Sequence, residues 1–273
     1  MKKENSSQLI IRIGNGSLSF SHLDIQEVSL PISYVPYTLN NGISMAANLR
    51  EAFKEEVQGS ENYASVSVMV DSPVMMTPVD VFAEEQCAAL YAHCMTLGDN
   101  ETVMHTVLPT LHAVAVFAIN KDLRMVVTDR YPQARFFSAA APVWRYMHHH
   151  NTAGKRNRLY TYFHNNGVDV FQFAPNRFKF FNHFSLADAH NDADRAADAI
   201  YYLMGAWTQL QLNAEEDELY ISGNMPNQQW GIDELHRFLH KVYHINPTAI
   251  FNRHAVTRIE AMPLDLMAIW AKS

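Results

Sequence analysis

The chain has 273 residues, 48% of them hydrophobic and 18% charged, which is enough apolar material for packed cores and unlike a disordered or collagen-like composition. It exceeds the usual single domain of roughly 100–200 residues, and its 21 basic against 28 acidic side chains give a net charge of −7, which disfavours general binding to nucleic acid or anionic membranes. Two cysteines exclude a four-cysteine zinc site or a disulfide framework, no run approaches the ~18 apolar residues of a membrane span, and the polar start lacks a signal-peptide core, so a cytoplasmic location is expected.

In chain order, Leu9 to Ile13 and Ser17 to Leu23 read as strands joined by Gly14-Asn15-Gly16, where Asn-Gly tolerates the positive φ of a tight hairpin. A third strand is expected at Glu27 to Tyr34. Ile43, Ala46, Leu49, Phe53 and Val57 then fall at three- and four-residue steps, predicting an amphipathic helix. A buried strand follows at Ala64 to Val70 and is closed by Asp71-Ser72-Pro73. Another helix is read through Phe82, Leu90, Tyr91 and Cys94. The first half continues with a strand at Ala113 to Ile119, a helix near Lys121 to Tyr131 and a segment from Arg135 to His150.

The plan then returns. Leu159 to His164 and Val168 to Phe173 flank Asn165-Asn166-Gly167, so the two Asn-Gly pairs stand about 151 residues apart. A third strand is expected at Arg177 to Phe184, a helix through Ala196, Ile200, Leu203, Trp207 and Leu210, and a buried strand at Glu218 to Ile221 ending in Ser222-Gly223-Asn224-Met225-Pro226. A helix through Ile232, Leu235, Phe238, Leu239 and Val242, a strand near Ala255 to Ile259 and a short helix from Pro263 to Trp270 complete the chain. The polar stretch His148 to Arg158 is the expected boundary, giving units of 1–150 and 151–273.

Two β-β-β-α-β-α halves resemble the actin-like ATPase superfamily, whose two ribonuclease H-like domains enclose a nucleotide cleft. The likeness spans nearly the whole chain. More closely, and most of all at Leu219-Tyr220-Ile221-Ser222-Gly223-Asn224-Met225-Pro226, the sequence is similar to a bacterial family of unknown function whose structural representative has an actin-like ATPase fold. The resemblance implies an α/β fold with internal duplication and a site at the two hairpins and the Gly223 turn. Fold alone does not carry function, so the site residues decide.

In active members of the superfamily the first hairpin carries an acid two positions before a glycine, which places a carboxylate near magnesium while turn amides meet phosphate. The match here is Arg12-Ile13-Gly14-Asn15-Gly16-Ser17, with Arg12 where the acid should stand. The second hairpin reads Tyr162-Phe163-His164-Asn165-Asn166-Gly167, again without an acid, and the adenosine turn is reduced to Gly223 followed by Asn224. Without carboxylates to hold metal and orient water, phosphoryl transfer loses its electrostatic positioning. The expectation is a pseudoenzyme: no catalytic residues, no metal, no cofactor, and a degenerate nucleotide or anion cleft lined by Arg12, Gly14, Asn15, Gly16, Ser17, Asn165, Asn166, Gly167, Gly223 and Asn224. It would act as an interaction scaffold, with a protein partner favoured over nucleic acid, or bind a ligand in the cleft. The alternative is an active ATPase or small-molecule kinase using ATP and magnesium, with Asp71 as the substitute acid; the simpler reading of Asp71 is a turn residue. In a third reading Arg12 acts as the countercharge of an anion sensor, against the simpler reading of a structural salt bridge.

Other candidates have plainer explanations. Asp188, His190, Asp192 and Asp194 alternate like a calcium loop, but Ala193 and Ala199 stand where that loop needs glycine and glutamate, and acids before a helix suit capping. Consecutive His148, His149 and His150 point in different directions, and Cys87 and Cys94 fit buried thiols better than a redox pair. Lys155-Arg156-Asn157-Arg158 lies ahead of Phe178-Lys179-Phe180-Phe181, whose alternation keeps the aromatic rings from forming one exposed platform for bases.

Overall fold

The computed structural model describes residues 7–23, 32–55, 63–151, 156–174, 177–251 and 254–271. In the first half, β1 (Gln8–Gly14), β2 (Ser17–Leu23) and β3 (Ile32–Tyr37) form an antiparallel meander. After α1 (Met45–Glu55), β4 (Ser65–Asp71) pairs parallel to β1, and β8 (Arg135–Ser138) pairs parallel to β4, giving the order β3-β2-β1-β4-β8. The second half repeats the order as β11-β10-β9-β12-β13, built from β9 (Arg158–His164), β10 (Gly167–Ala174), β11 (Arg177–Ser185), β12 (Glu218–Gly223) and β13 (Val242–His244). Each sheet starts antiparallel and finishes parallel, because a short turn serves the meander and a helix carries the crossover.

The crossover helices bury the faces that their periodicity marks. On α1 these are Ala46, Leu49, Ala52 and Phe53; on α5 (Asp192–Gln209) they are Ala196, Ala199, Ile200, Leu203, Ala206 and Trp207. Asn191 caps α5 by accepting from the amides of Ala193 and Asp194, and Asp192 pairs with Arg195. The acid-rich stretch is therefore the start of a helix and not a calcium loop.

Several expected elements differ. The third strand begins at Ile32; residues Glu27 to Pro31 lie outside the described residues, as does Val57 of the first helix. The Phe82 to Cys94 helix shortens to α2 (Cys87–Cys94) after two 3-10 turns. The strand at Ala113, β7 (Ala113–Asn120), leaves the main sheet and joins β5 (Val74–Pro78) and β6 (Glu101–Leu108) in a small antiparallel sheet of order β5-β7-β6. Its alternate residues Val114, Val116 and Ala118 pack with Cys87 and Tyr91 of α2, which makes Cys87 a buried thiol, whereas Cys94 is exposed. The helices α3 (Lys121–Arg130) and α4 (Ala140–His149) follow on either side of β8.

In the second half, α6 (Gln228–Leu235) ends before Val242, which belongs to β13. The strand expected at Ala255 is a 3-10 turn capped by the His254 ring, preceded by α7 (Pro247–Ile250). The last helix, α8 (Leu264–Trp270), packs with α4 in the core of the first half, and the Trp270 indole donates to Ser21 Oγ at 2.7 Å. The C-terminal segment of the expected 151–273 unit thus returns to the first sheet. Among the described residues no helix is long and apolar enough to cross a membrane.

Candidate functional site: a buried ion ladder between two hairpins

The two hairpins bring the ends of β1 and β9 together between the halves. Gly14 closes onto Ser17 around Asn15-Gly16, and His164 closes onto Gly167 around Asn165-Asn166. The halves are therefore aligned one residue differently from the Asn-Gly match in the sequence: Asn165-Asn166, not Asn166-Gly167, corresponds to Asn15-Gly16. Both Asn165 (φ 45°) and Asn166 (φ 57°) are left-handed, as a tight two-residue turn of this type requires, whereas only Gly16 (φ 74°) is left-handed in the first turn. In this register Arg12 corresponds to Tyr162 and Gly14 to His164.

Arg12 and Tyr162 converge on a carboxylate from the far end of the chain. Arg12 donates from Nε and Nη2 to Asp265 at 2.9–3.1 Å, and the Tyr162 hydroxyl donates to Asp265 Oδ2 at 2.8 Å. Asp265 also accepts from the Leu266 amide at 2.7 Å, and its side chain is fully buried. Arg12 Nη2 reaches Asp71 Oδ2 as well; Asp71 Oδ1 holds His164 Nδ1 at 2.6 Å. The other face of His164 looks at Asp169, with Nε2 and Oδ2 3.2 Å apart, and Asp169 Oδ1 holds His183 Nδ1 at 2.8 Å. Acidic and basic side chains alternate from Asp265 through Arg12, Asp71, His164 and Asp169 to His183.

The protonation states follow from these contacts. Burial alone would lift the Asp71 carboxyl, but His164 and then Arg12 overcome it and hold it at about 2. Burial would likewise lower the His164 imidazole, yet the charges of Asp169 and Asp71 raise it to about 10, so the ring is a cation. Asp169 is held below its ordinary value against its burial, chiefly by His164. Burial, with the Asp265 charge beside it, pushes the Tyr162 hydroxyl well above its usual range, so it remains a donor. Arg12 is raised against its burial by Asp265 and Asp71.

The ladder walls off two cavities. One, of about 620 Å³, is lined by Arg12, Asn15, Ser17, Asn165, Asn166, Gly167, Gly223 and Asn224; the other, of about 700 Å³, by Gly14, Asn15, Gly16, Asn165, Asn166 and His183. Both volumes suit a small ligand. Asp71 faces both, and the Asn165 side chain donates to the Asp71 carbonyl at 3.1 Å across the halves. All ten residues singled out from the sequence thus surround one wall, although Arg12 is engaged in the salt bridge and its Nε and Nη2 have no freedom to meet an anion. Gly223 has a local reason for its identity: at φ +78° a Cβ would stand 2.1 Å from the Phe163 carbonyl oxygen.

Sequence reasoning missed Asp169, Asp265 and His183. A lone acid between Val168 and Val170 on a buried strand, and another in the apolar run Leu264 to Trp270, are the signals available; nothing local connects Asp265 with Arg12.

The chain is similar to a protein of actin-like ATPase fold and unknown function from Bacteroides thetaiotaomicron VPI-5482, 26% identical, with a TM-score of 0.81 over 99% of this chain and 97% of that one. It is also similar, with 11% identity and a TM-score of 0.49 over 98% and 99% of the two chains, to an inorganic polyphosphate/ATP-glucomannokinase from Arthrobacter sp. strain KM. A type IV pilus biogenesis complex of PilM and PilN matches at 12% and 0.48, over 98% of this chain and 97% of that one. No curated protein matches. The fold is that of the actin-like ATPases, and, with the family model for proteins of unknown function DUF3822 matching residues 1–242, the chain belongs to the DUF3822 family.

Proposed function

We propose that this chain is a non-catalytic protein of actin-like ATPase fold, a pseudo-ATPase that works as an interaction scaffold or as a binder of a ligand in the cleft. The observation that carries this reading is the sharing of Asp265 by Arg12 and Tyr162, the matching positions of the two hairpins. The carboxylates within reach are committed to protein cations or hydrogen bonds, which leaves them poorly placed to gather magnesium and orient water. A protein partner is supported by exposed Trp230 on α6, Phe238 beyond it and Tyr243 on β13, aromatic types that serve well as interface anchors. A cytoplasmic setting fits this reading.

A second reading, an active ATPase or small-molecule kinase, is favoured by one observation: Asp71 faces both cavities instead of merely organising its turn. An assay of magnesium-dependent ATP turnover separates the two. The non-catalytic reading expects none above background, and turnover abolished by Asp71→Asn would overturn it.

A further inference from the structure

We propose that His164, Asp169 and His183 form a binding site for one divalent transition-metal ion, with zinc the best match. The three side chains come from the adjacent strands β9, β10 and β11 at one end of the second sheet, and Asp169 stands directly opposite His183 in the register. Each offers a ligand atom, and these atoms lie within 4.8 Å of one another. Donors bound to zinc at about 2.0–2.1 Å are roughly 3.3 Å apart in a tetrahedron. His164 Nε2 and Asp169 Oδ2, at 3.2 Å, already have that spacing. His183, on the edge strand, is the group that must turn, and His164, a cation in the metal-free chain, must release its Nε2 proton to solvent as the ion binds, keeping the Nδ1 proton on the side of Asp71.

Two details point to an ion more than to a simple charge pair. His164 Nε2 and Asp169 Oδ2 are buried, with side-chain exposures of 3% and 0%; they face each other at 3.2 Å as an ion pair without meeting hydrogen-bond geometry, and among the described residues neither has a hydrogen-bond partner. Such unmet buried atoms need an explanation, and a cation between them supplies one. The other ring nitrogen of His164 is held by Asp71 at 2.6 Å, an arrangement in which a carboxylate fixes the tautomer and aim of a metal-binding imidazole.

The backbone accommodates the third ligand. A Cβ at Gly167 would approach His183 Cε1 at 2.6 Å and Nε2 at 2.9 Å, so glycine there makes room for the ring. Two imidazoles and one carboxylate suit zinc and its neighbours over magnesium or calcium, which prefer all-oxygen shells. The remaining coordination position is available to water or a ligand from the cavity of about 700 Å³ that His183 lines. Bound there, the ion would staple β9, β10 and β11 together beneath the cleft and, through Asp71, tie that end of the second sheet to the first. The proposal goes beyond the non-catalytic reading and does not depend on it.

The test is calorimetric titration of chelator-stripped full-length protein with zinc alone, followed by metal analysis after gel filtration and by thermal melting with and without zinc. The expected result is one ion per chain and a higher Tm. Asp169→Asn and His183→Gln should each weaken binding at least ten-fold, and Asp71→Asn, at a positioning residue, by about 10–100-fold. Because Asp169 is fully buried and its variant can fail to fold, His183→Gln, verified by circular dichroism, decides the matter. His149→Ala, in the exposed histidine run, should bind as wild type does. Absence of stoichiometric zinc, unchanged affinity in folded His183→Gln, or loss of the ion in His149→Ala would each overturn the assignment. Since the readouts are metal content and Tm, they remain separate from ATP turnover.

Discussion

The β1–β2 and β9–β10 hairpins occupy the same place in two sheets of the same order and present different donors to the same acids. At matching positions the first has Arg12 and Gly14 and the second Tyr162 and His164. One hairpin contributes a fixed cation and open backbone; the other contributes a hydroxyl and an imidazole. Neither contributes an acid at these positions. Two of the acids arrive from outside the hairpins, Asp71 from β4 and Asp265 from α8, while Asp169 stands on the second hairpin's own strand β10, and each lies against the cation or donor that a hairpin presents. A repeated scaffold thus fixes where side chains meet, while the residues at each end determine whether the meeting place can hold a ligand or is neutralised from within.

Breaking the contact shared by both hairpins should have the largest effect. Asp265→Ala leaves Arg12 with one carboxylate and Tyr162 with none, and loss of one partner from a buried ion pair costs about 3–5 kcal/mol, measurable by urea unfolding. The double variant Arg12→Met/Asp265→Leu should recover only part of that loss: it removes both buried charges together, but it leaves Asp71 with His164 in place of two cations and takes the Tyr162 hydroxyl's acceptor away.

The Gly223 turn sharpens the comparison next. Gly223→Ala combines a left-handed φ with a 2.1 Å approach to backbone oxygen, and a loss of about 3 kcal/mol is expected. Gly16→Ala also sits at positive φ but among the described residues meets nothing within 4 Å, so only about 1 kcal/mol is expected. Equal losses would show that the close approach to Phe163 contributes nothing.

For the metal-free protein, pH separates the two charge types. Asp71 titrates at about 2 in the fold against 3.8 ordinarily, so its stabilisation is complete above about 4 and lost as pH falls through 2. By linkage that amounts to on the order of 2 kcal/mol. His164 titrates at about 10 against 6.5, so its stabilisation is complete below about 6.5 and declines as pH rises towards 10. Chemical denaturation across pH should therefore show a plateau between these limits, and stability still rising from pH 7 to 10 would contradict the imidazolium assignment. The smallest effect specific to the second hairpin is Tyr162→Phe, which removes one hydrogen bond to Asp265 while Arg12 and the Leu266 amide still donate to it, and should cost about 1 kcal/mol by urea unfolding.

The hairpins, the crossover helices and the repeated sheet order were legible because each rests on local periodicity or turn chemistry: Leu49 and Phe53 on α1, and Leu203 and Trp207 on α5, mark buried faces without reference to the rest of the chain. The alignment of the halves was misread by one residue because Gly167 looked like the turn glycine, whereas its place at the start of β10 is explained by the ring of His183. The small sheet was missed because β5 is only five residues long and follows Pro73 directly, so the break was legible and the strand was not. The ladder itself was half legible. Arg12 stood out as a cation in place of an acid, but its partner Asp265 lies 253 residues away, and only the return of α8 to the first core unites them.

The most direct measurement is calorimetric titration of the purified protein with ATP, ADP and inorganic phosphate, each with and without magnesium. With the cleft carboxylates held by Arg12, His164 and Tyr162, the account predicts no magnesium-dependent gain in ATP affinity. Tight ATP binding that requires magnesium would contradict it, because the ion would then have found carboxylates that the ladder is argued to occupy.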